Sequence, residues 1–316
     1  MNRTEPSVRE FISQNSSFPT AIHAWEIHLA DEGRTGNTIK AFISDIQLLA
    51  SYFSPDRSIG SIKTRDINAF LSWMDNERRV SCSPKTYSRR VTSIKAFYKW
   101  LKTFGVLEQD PAEDVIQKSV LSPLPEILTS DEYRLVLEAA NSFRTEKKPD
   151  ARPLTLVYLL LSTAIKKSET LGISPNHIDL DDPDNPILYI RYDTPDSRYK
   201  ERKIDLPLGW VPVYQEYLGQ AQPTKRLFDY SARRLEYLLE DIGVRAGLLK
   251  HLSFNMCRWT SVVHDYYTNT DPEIIRVKMG VSKIQWREIH MKLKKLRERY
   301  VVPAEGERSG PLQGVI

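Results

Sequence analysis

No run of about 18 apolar residues occurs in this chain, so no segment has the length that a membrane-spanning helix needs. The first ten residues, MNRTEPSVRE, hold no apolar core of the kind a secretion leader carries. Cysteine is nearly missing. Cys82 and Cys257 are the two present, far apart and in no metal-ligand spacing, which argues against a disulfide framework or a zinc site and fits reduced thiols in a cytoplasmic protein. A large excess of either sign of charge is missing as well: the formal balance is +4. That permits a nucleic-acid partner without requiring one, because local clustering of Lys and Arg decides. What is there is ordinary for a globular protein, 41% hydrophobic and 27% charged over 316 residues, enough chain for two domains with a core each.

Residues 1–17 read as an arm and residues 18–108 as a first domain of four helices. Ile22, Trp25, Ile27 and Leu29 mark the first helix, and Gly33 and Gly36 break it. Asn37 is the expected N-cap of the second, where Ile39, Phe42, Ile43, Ile46 and Leu49 fall at helical spacing. Thr64 is expected to cap a third, with Ile67, Phe70, Leu71 and Met74 inward. Ser83-Pro84 opens a fourth, whose stripe is Tyr87, Val91, Ile94, Phe97, Tyr98 and Leu101, ending at Gly105. Acidic residues are nearly absent from this last helix, while Lys85, Arg89, Arg90, Lys95 and Lys99 lie largely off its stripe; Lys40 is similarly placed on the second helix. A helix rich in cations and poor in anions suits phosphate contacts, which give affinity more than sequence specificity.

Residues 109–129 read as a linker, stiffened by Pro111, Pro123 and Pro125. Residues 130–302 form a second domain, opened by a capping box of Thr129 and Glu132. A continuously apolar stretch, residues 153–162, predicts a buried helix. A hairpin follows, alternating at Leu188, Ile190 and Tyr192 and returning at residues 203–206. Residues 255–290 read as a helix, an acidic turn at Asp271-Pro272, a second helix, a turn at Gly280 and a third helix. The tail, residues 303–316, is rich in Gly, Pro and charge and reads as flexible or partner-docking.

Several phrases together resemble the tyrosine recombinase family, the phage integrase and Xer group. In the first domain they are GRTGNTIKAFISDIQLLASYF, IGSIKTRDINAFLSWM and SPKTYSRRVTSIKAFYKWLKTFGVLEQDPAED. In the second, STAIKKSETLGIS resembles the family's TGLRISELLGL, SRYKERKIDLP its hairpin phrase, and residues 255–290 its C-terminal catalytic segment. The resemblance implies a mainly α fold with a small β-sheet. It pairs a four-helix, SAM-like core-binding domain with a C-terminal α+β domain of the catalytic type. It implies double-stranded DNA as partner, self-association on DNA or partnership with an active recombinase of the same mobile element, a cytoplasmic, nucleoid-associated location, and no metal or cofactor.

The family's chemistry is phosphoryl transfer: a Tyr attacks the phosphate, two Arg and imidazole or indole donors stabilise the transition state, and a Lys protonates the leaving oxygen. Residue by residue the pattern departs. Lys166 stands at the first Arg, Asn255 at the first His, Val281 at the second His or Trp, and His290 at the Tyr, while Arg258 matches the second Arg. Lys cannot reproduce the planar bidentate fork of Arg. In the hairpin turn the catalytic Lys falls near Ser197 or Arg198, with Arg198 or Lys200 able to take the phosphate-contacting part; Arg202 and Arg258 join the expected DNA-binding cations. The resulting expectation is a DNA-binding protein of this fold that has lost strand cleavage. Two readings stay open beside it: an active divergent recombinase with Tyr300 or His290 as nucleophile, and a helical scaffold for protein partners.

Overall fold

A computed structural model describes residues 12–80, 82–116 and 123–297, with the side chain of residue 196 not described. The chain divides into two compact units, residues 1–123 and 124–316.

The first unit is built of α1 (Phe18–Asp31), α2 (Gly36–Tyr52), α3 (Thr64–Asn76) and α4 (Pro84–Thr103). Two caps differ from the sequence expectation. Thr35, not Asn37, caps α2, its hydroxyl accepting from the Thr38 N–H at 3.3 Å. Thr64 lies inside α3, and the Asp66 carboxylate turns back to accept from the Lys63 N–H at 2.9 Å. Both remain solutions to the orphan donors of a helix start. Ser83 caps α4 as expected from its neighbour Pro84, and Gly105, at φ +69°, ends it. Trp25 is the centre of the core. Phe97 meets it edge-on at 5.2 Å and Phe42 stacks on it at 5.8 Å, with Ile46, Leu49, Ile67 and Phe70 fully buried around them.

The second unit is organised on α6 (Arg152–Thr163), which is buried at almost every position. A helix apolar all round has to be enclosed. It is enclosed by α5 (Ser130–Ser142), α8 (Trp210–Ala221), α9 (Ala232–Arg245) and α10 (Phe254–Tyr267). The Trp210 indole N–H donates to the Thr155 carbonyl at 2.9 Å and locks α8 to α6. α6 ends abruptly at Ala164, in the left-handed region at φ +53°, and the chain turns at Lys166 into the short α7 (Lys167–Gly172). The hairpin gains a third, two-residue strand. The antiparallel order is β1 (Ile178–Asp179), β2 (Ile187–Ile190), β3 (Arg202–Asp205), with Leu188 opposite Ile204 on the buried face and Tyr189 opposite Lys203 on the outer one. The β2–β3 connection carries a 3-10 turn, Pro195–Lys200. α10, α11 (Pro272–Met279) and α12 (Lys283–Arg297) share a smaller core of Val262, Val263, Ile275, Met279, Leu293 and Leu296. The architecture is thus mainly helical with one small sheet. Among the described residues no helix is long and apolar enough to cross a membrane.

Candidate functional site

Glu169 is the hub of the second unit's polar cluster. It sits in the first turn of α7, its side chain only 1% exposed. One carboxylate oxygen accepts from the Lys166 backbone N–H at 2.7 Å and from Arg202 Nη2 at 2.9 Å. The other accepts from Arg202 Nη1 at 3.0 Å and from the Tyr192 hydroxyl, and Lys166 Nζ lies 3.5 Å from it. Burial alone would raise this carboxyl, but the bidentate Arg202, Tyr192 and the Lys166 amide outweigh it and hold it at about 2. Burial and the neighbouring carboxylate push the Tyr192 phenol up to about 12.

The three cations of the cluster meet the end of α11. Arg202 Nε donates to the Lys278 carbonyl at 2.8 Å, Arg258 Nη2 to Met279 at 2.7 Å, and Lys166 Nζ to Gly280 at 3.0 Å. These consecutive carbonyls belong to a helix C-terminus, where unpaired acceptors and the negative end of the helix dipole favour cations. Gly280 takes φ +59° to end α11, and a Cβ there would lie 2.6 Å from Arg202 Nη1. Desolvation brings Arg258 down to about 10 and lowers Lys166 too; Glu169 opposes both shifts. The buried Arg258 Nη1 has no hydrogen-bond partner among the described residues. A cleft of about 730 Å³ opens beside Lys166 and Arg258, lined also by Asn255, Lys167, Arg233 and His251.

The structure therefore brings Lys166, Asn255 and Arg258 to one cleft. Lys200 contributes its carbonyl, which accepts from Arg202 at 3.2 Å, while its ammonium lies over the Tyr199 ring. Val281 packs against the small α10–α12 core. His290, on α12, is stacked on Trp286 at 5.5 Å, edge-on to Tyr266 at 5.6 Å, and 3.3 Å from the Tyr266 hydroxyl. It is an aromatic packing residue in this arrangement. Tyr300 lies outside the described residues. Glu169 as hub, Tyr192 as its partner, and Arg233 and His251 on the cleft wall are what the sequence reading missed. Only the first had a signal, its place in STAIKKSETLGIS, the phrase that resembles the family's TGLRISELLGL.

The expected DNA-binding cations differ in exposure. Lys40, Lys85, Lys99 and Arg198 are exposed, and Lys95, half-buried, donates to the Glu113 carbonyl at 3.2 Å. Arg90 and Arg202 are interior instead. Arg202 is 4% exposed and spent on Glu169 and α11. Arg90 is 14% exposed, lies 3.6 Å from buried Asp45 and points Nη1 at the sulfurs of Met74 and Cys82. Arg89 is divided: it pairs with Asp45 at 2.5 Å, yet 40% of its side chain is exposed. Ser93 completes the Asp45 cluster at 2.7 Å, where burial outweighs these partners and raises the carboxyl. Arg258 is half-buried and already bonded to Met279.

Comparison with known proteins agrees with this architecture. Residues 23–104 match the phage integrase N-terminal SAM-like domain. The chain is 22% identical over 283 residues to the tyrosine recombinase XerD of Listeria innocua, covering 85% of this chain and 92% of that protein. It is 23% identical over 282 residues to the tyrosine recombinase XerC of Chromobacterium violaceum, covering 86% and 90%. In fold it is similar to XerH site-specific recombinase bound to a palindromic difH substrate, with a TM-score of 0.70, 17% identity, and 90% and 84% of the two chains covered. A lambda integrase dimer bound to a COC' core site gives 0.70 at 14% identity, covering 95% and 83%. The first-unit match, the likeness to Xer recombinases over most of the length and the shared fold together support a tyrosine recombinase/integrase family.

Proposed function

We propose that this protein clamps duplex DNA as a non-cleaving member of its family, acting in or regulating site-specific recombination or integration, as a self-associated form or beside an active recombinase. The observation that carries this reading is the cluster itself. Lys166 and Arg258 donate to the Gly280 and Met279 carbonyls respectively, and the residue at the nucleophile position, His290, is packed against Trp286 and Tyr266. Each missing transition-state donor costs on the order of 10² to 10³ in rate, and Val281 supplies no donor at all. DNA affinity asks less: exposed cations suffice, and Lys40, Lys85, Lys99 and Arg198 supply them. The DNA-bound XerH and lambda integrase relatives, the latter also a dimer and a tetramer, support duplex DNA as ligand and self-association as its mode.

The test is a salt titration of binding to a labelled duplex by fluorescence anisotropy. The expected result is an affinity that falls linearly on a log–log plot, by about 0.9 in slope for each phosphate neutralised. An affinity flat in salt, or no binding at low salt, would overturn the DNA reading in favour of a protein scaffold.

A further inference from the structure

The outer face of the hairpin holds aromatic rings and cations in contact. Tyr189, in the middle of β2, has both the Arg191 guanidinium and the Lys203 ammonium 5.2 Å from its ring centroid. Tyr199, in the 3-10 turn at the tip, is 76% exposed, with Lys200 Nζ 4.9 Å from its centroid and Arg198 exposed next to it. On the face itself the Tyr189 hydroxyl donates to Asp179 at 3.3 Å and Asp205 is exposed beside Lys203, whereas in the turn the sequence anions are Asp193, Asp196 and Glu201, of which Glu201 is held by Arg191 and the Tyr192 N–H. The tip is also placed. Arg202 fixes the Lys200 carbonyl to the Glu169 cluster, so Tyr199 stands one residue from the anchored edge of the site.

An exposed ring that packs on no core and is bordered by cations offers a π-face beside phosphate-binding charge. Nucleobases stack on such rings irrespective of sequence, and cations beside them hold the backbone. In an intact duplex the base faces are covered by their neighbours. Only an unpaired or unstacked base presents one. We propose that Tyr199 is a base-stacking side chain, and that the hairpin tip prefers DNA carrying an unpaired base over fully paired duplex. The proposal rests on the DNA-binding reading above. Arg198 and Lys200 serve as phosphate contacts on both kinds of DNA, and Tyr199 supplies the preference.

The experiment compares one fixed-sequence duplex with the same duplex bearing a single-base bulge whose unpaired base is 2-aminopurine, using the full chain. Anisotropy reads affinity, and 2-aminopurine fluorescence reads stacking. The expected result is tighter binding of the bulged duplex by wild type, with quenching of the probe. Tyr199→Ala should lose about tenfold on the bulged duplex and less than about twofold on the paired one, with the quenching abolished, while Tyr199→Phe keeps both. A thermal melt unchanged in Tyr199→Ala shows the fold is intact. Equal losses on the two duplexes, or wild-type and Tyr199→Ala binding the bulge alike, would overturn the stacking role and leave the DNA reading standing. Wild type binding neither duplex would overturn both.

Discussion

Replacing Arg202 by Met should unfold the second unit more readily, and the structure sets the size. The guanidinium is 4% exposed and the Glu169 carboxylate 1%. Removing Arg202 leaves that carboxylate buried with the Lys166 amide, the Tyr192 hydroxyl and Lys166 Nζ at 3.5 Å as its remaining partners. Breaking a buried pair from one side costs about 3–5 kcal/mol. For a unit of this size that lowers Tm by roughly 6–20 °C. The acid limb gives a second reading. Glu169 falls from 4.5 to about 2 in the fold, so it contributes stability that is complete above about pH 4.5 and is lost as pH falls toward 2. That contribution is about 3 kcal/mol at neutral pH. In Arg202→Met this acid-side loss should shrink. The assay is calorimetry or circular dichroism melting from pH 3 to 7 on wild type, Arg202→Met and the double variant Glu169→Leu with Arg202→Met. The double variant removes both charges together and should recover most of the loss. A single-variant cost under about 1 kcal/mol, or a double variant no better than the single, would refute the account of Glu169 as a buried hub.

Gly280→Ala should cost about 1–3 kcal/mol in urea unfolding, from a left-handed backbone at φ +59° and a Cβ 2.6 Å from Arg202 Nη1; an unchanged midpoint would contradict the packing of α11 against Arg202. Arg90→Ala should lower the melting of the first unit by about 1–3 kcal/mol with little effect on DNA affinity, because it faces Asp45 and two sulfurs. Lys85→Ala and Lys99→Ala should do the reverse, leaving the melt unchanged and reducing the salt slope by about 0.9 for each phosphate contact removed.

The helices of the first unit were legible because apolar stripes, Ser83-Pro84 and Gly105 all agree on the same ends. Arg89 and Arg90 were not. On a helix wheel they lie off the stripe and read as phosphate-contacting cations. They turn inward because Asp45 sits on α2, more than 40 residues earlier, and is buried. The caps of α2 and α3 slipped by one or two residues, since Thr35 also offers an acceptor, to the Thr38 N–H, and Asp66 reaches back to the Lys63 N–H, so each helix starts earlier than Asn37 or Thr64 would start it. β1 escaped notice because two residues cannot show an alternation. In the site, the departures at Lys166, Asn255, Val281 and His290 could be read directly against the family pattern. The cluster could not. It depends on Glu169 meeting Arg202 from β3 and on both meeting the end of α11, and no local spacing encodes that convergence.

The proposed function is to hold DNA without cutting it. The most direct measurement is a nicked suicide duplex incubated with wild type, Tyr300→Phe and His290→Ala, split between a native mobility-shift gel and a denaturing gel. The account predicts a salt-sensitive shift with wild type and no covalent protein–DNA adduct in any lane. An adduct formed by wild type and lost in one variant would contradict it, and would name the nucleophile of an active recombinase.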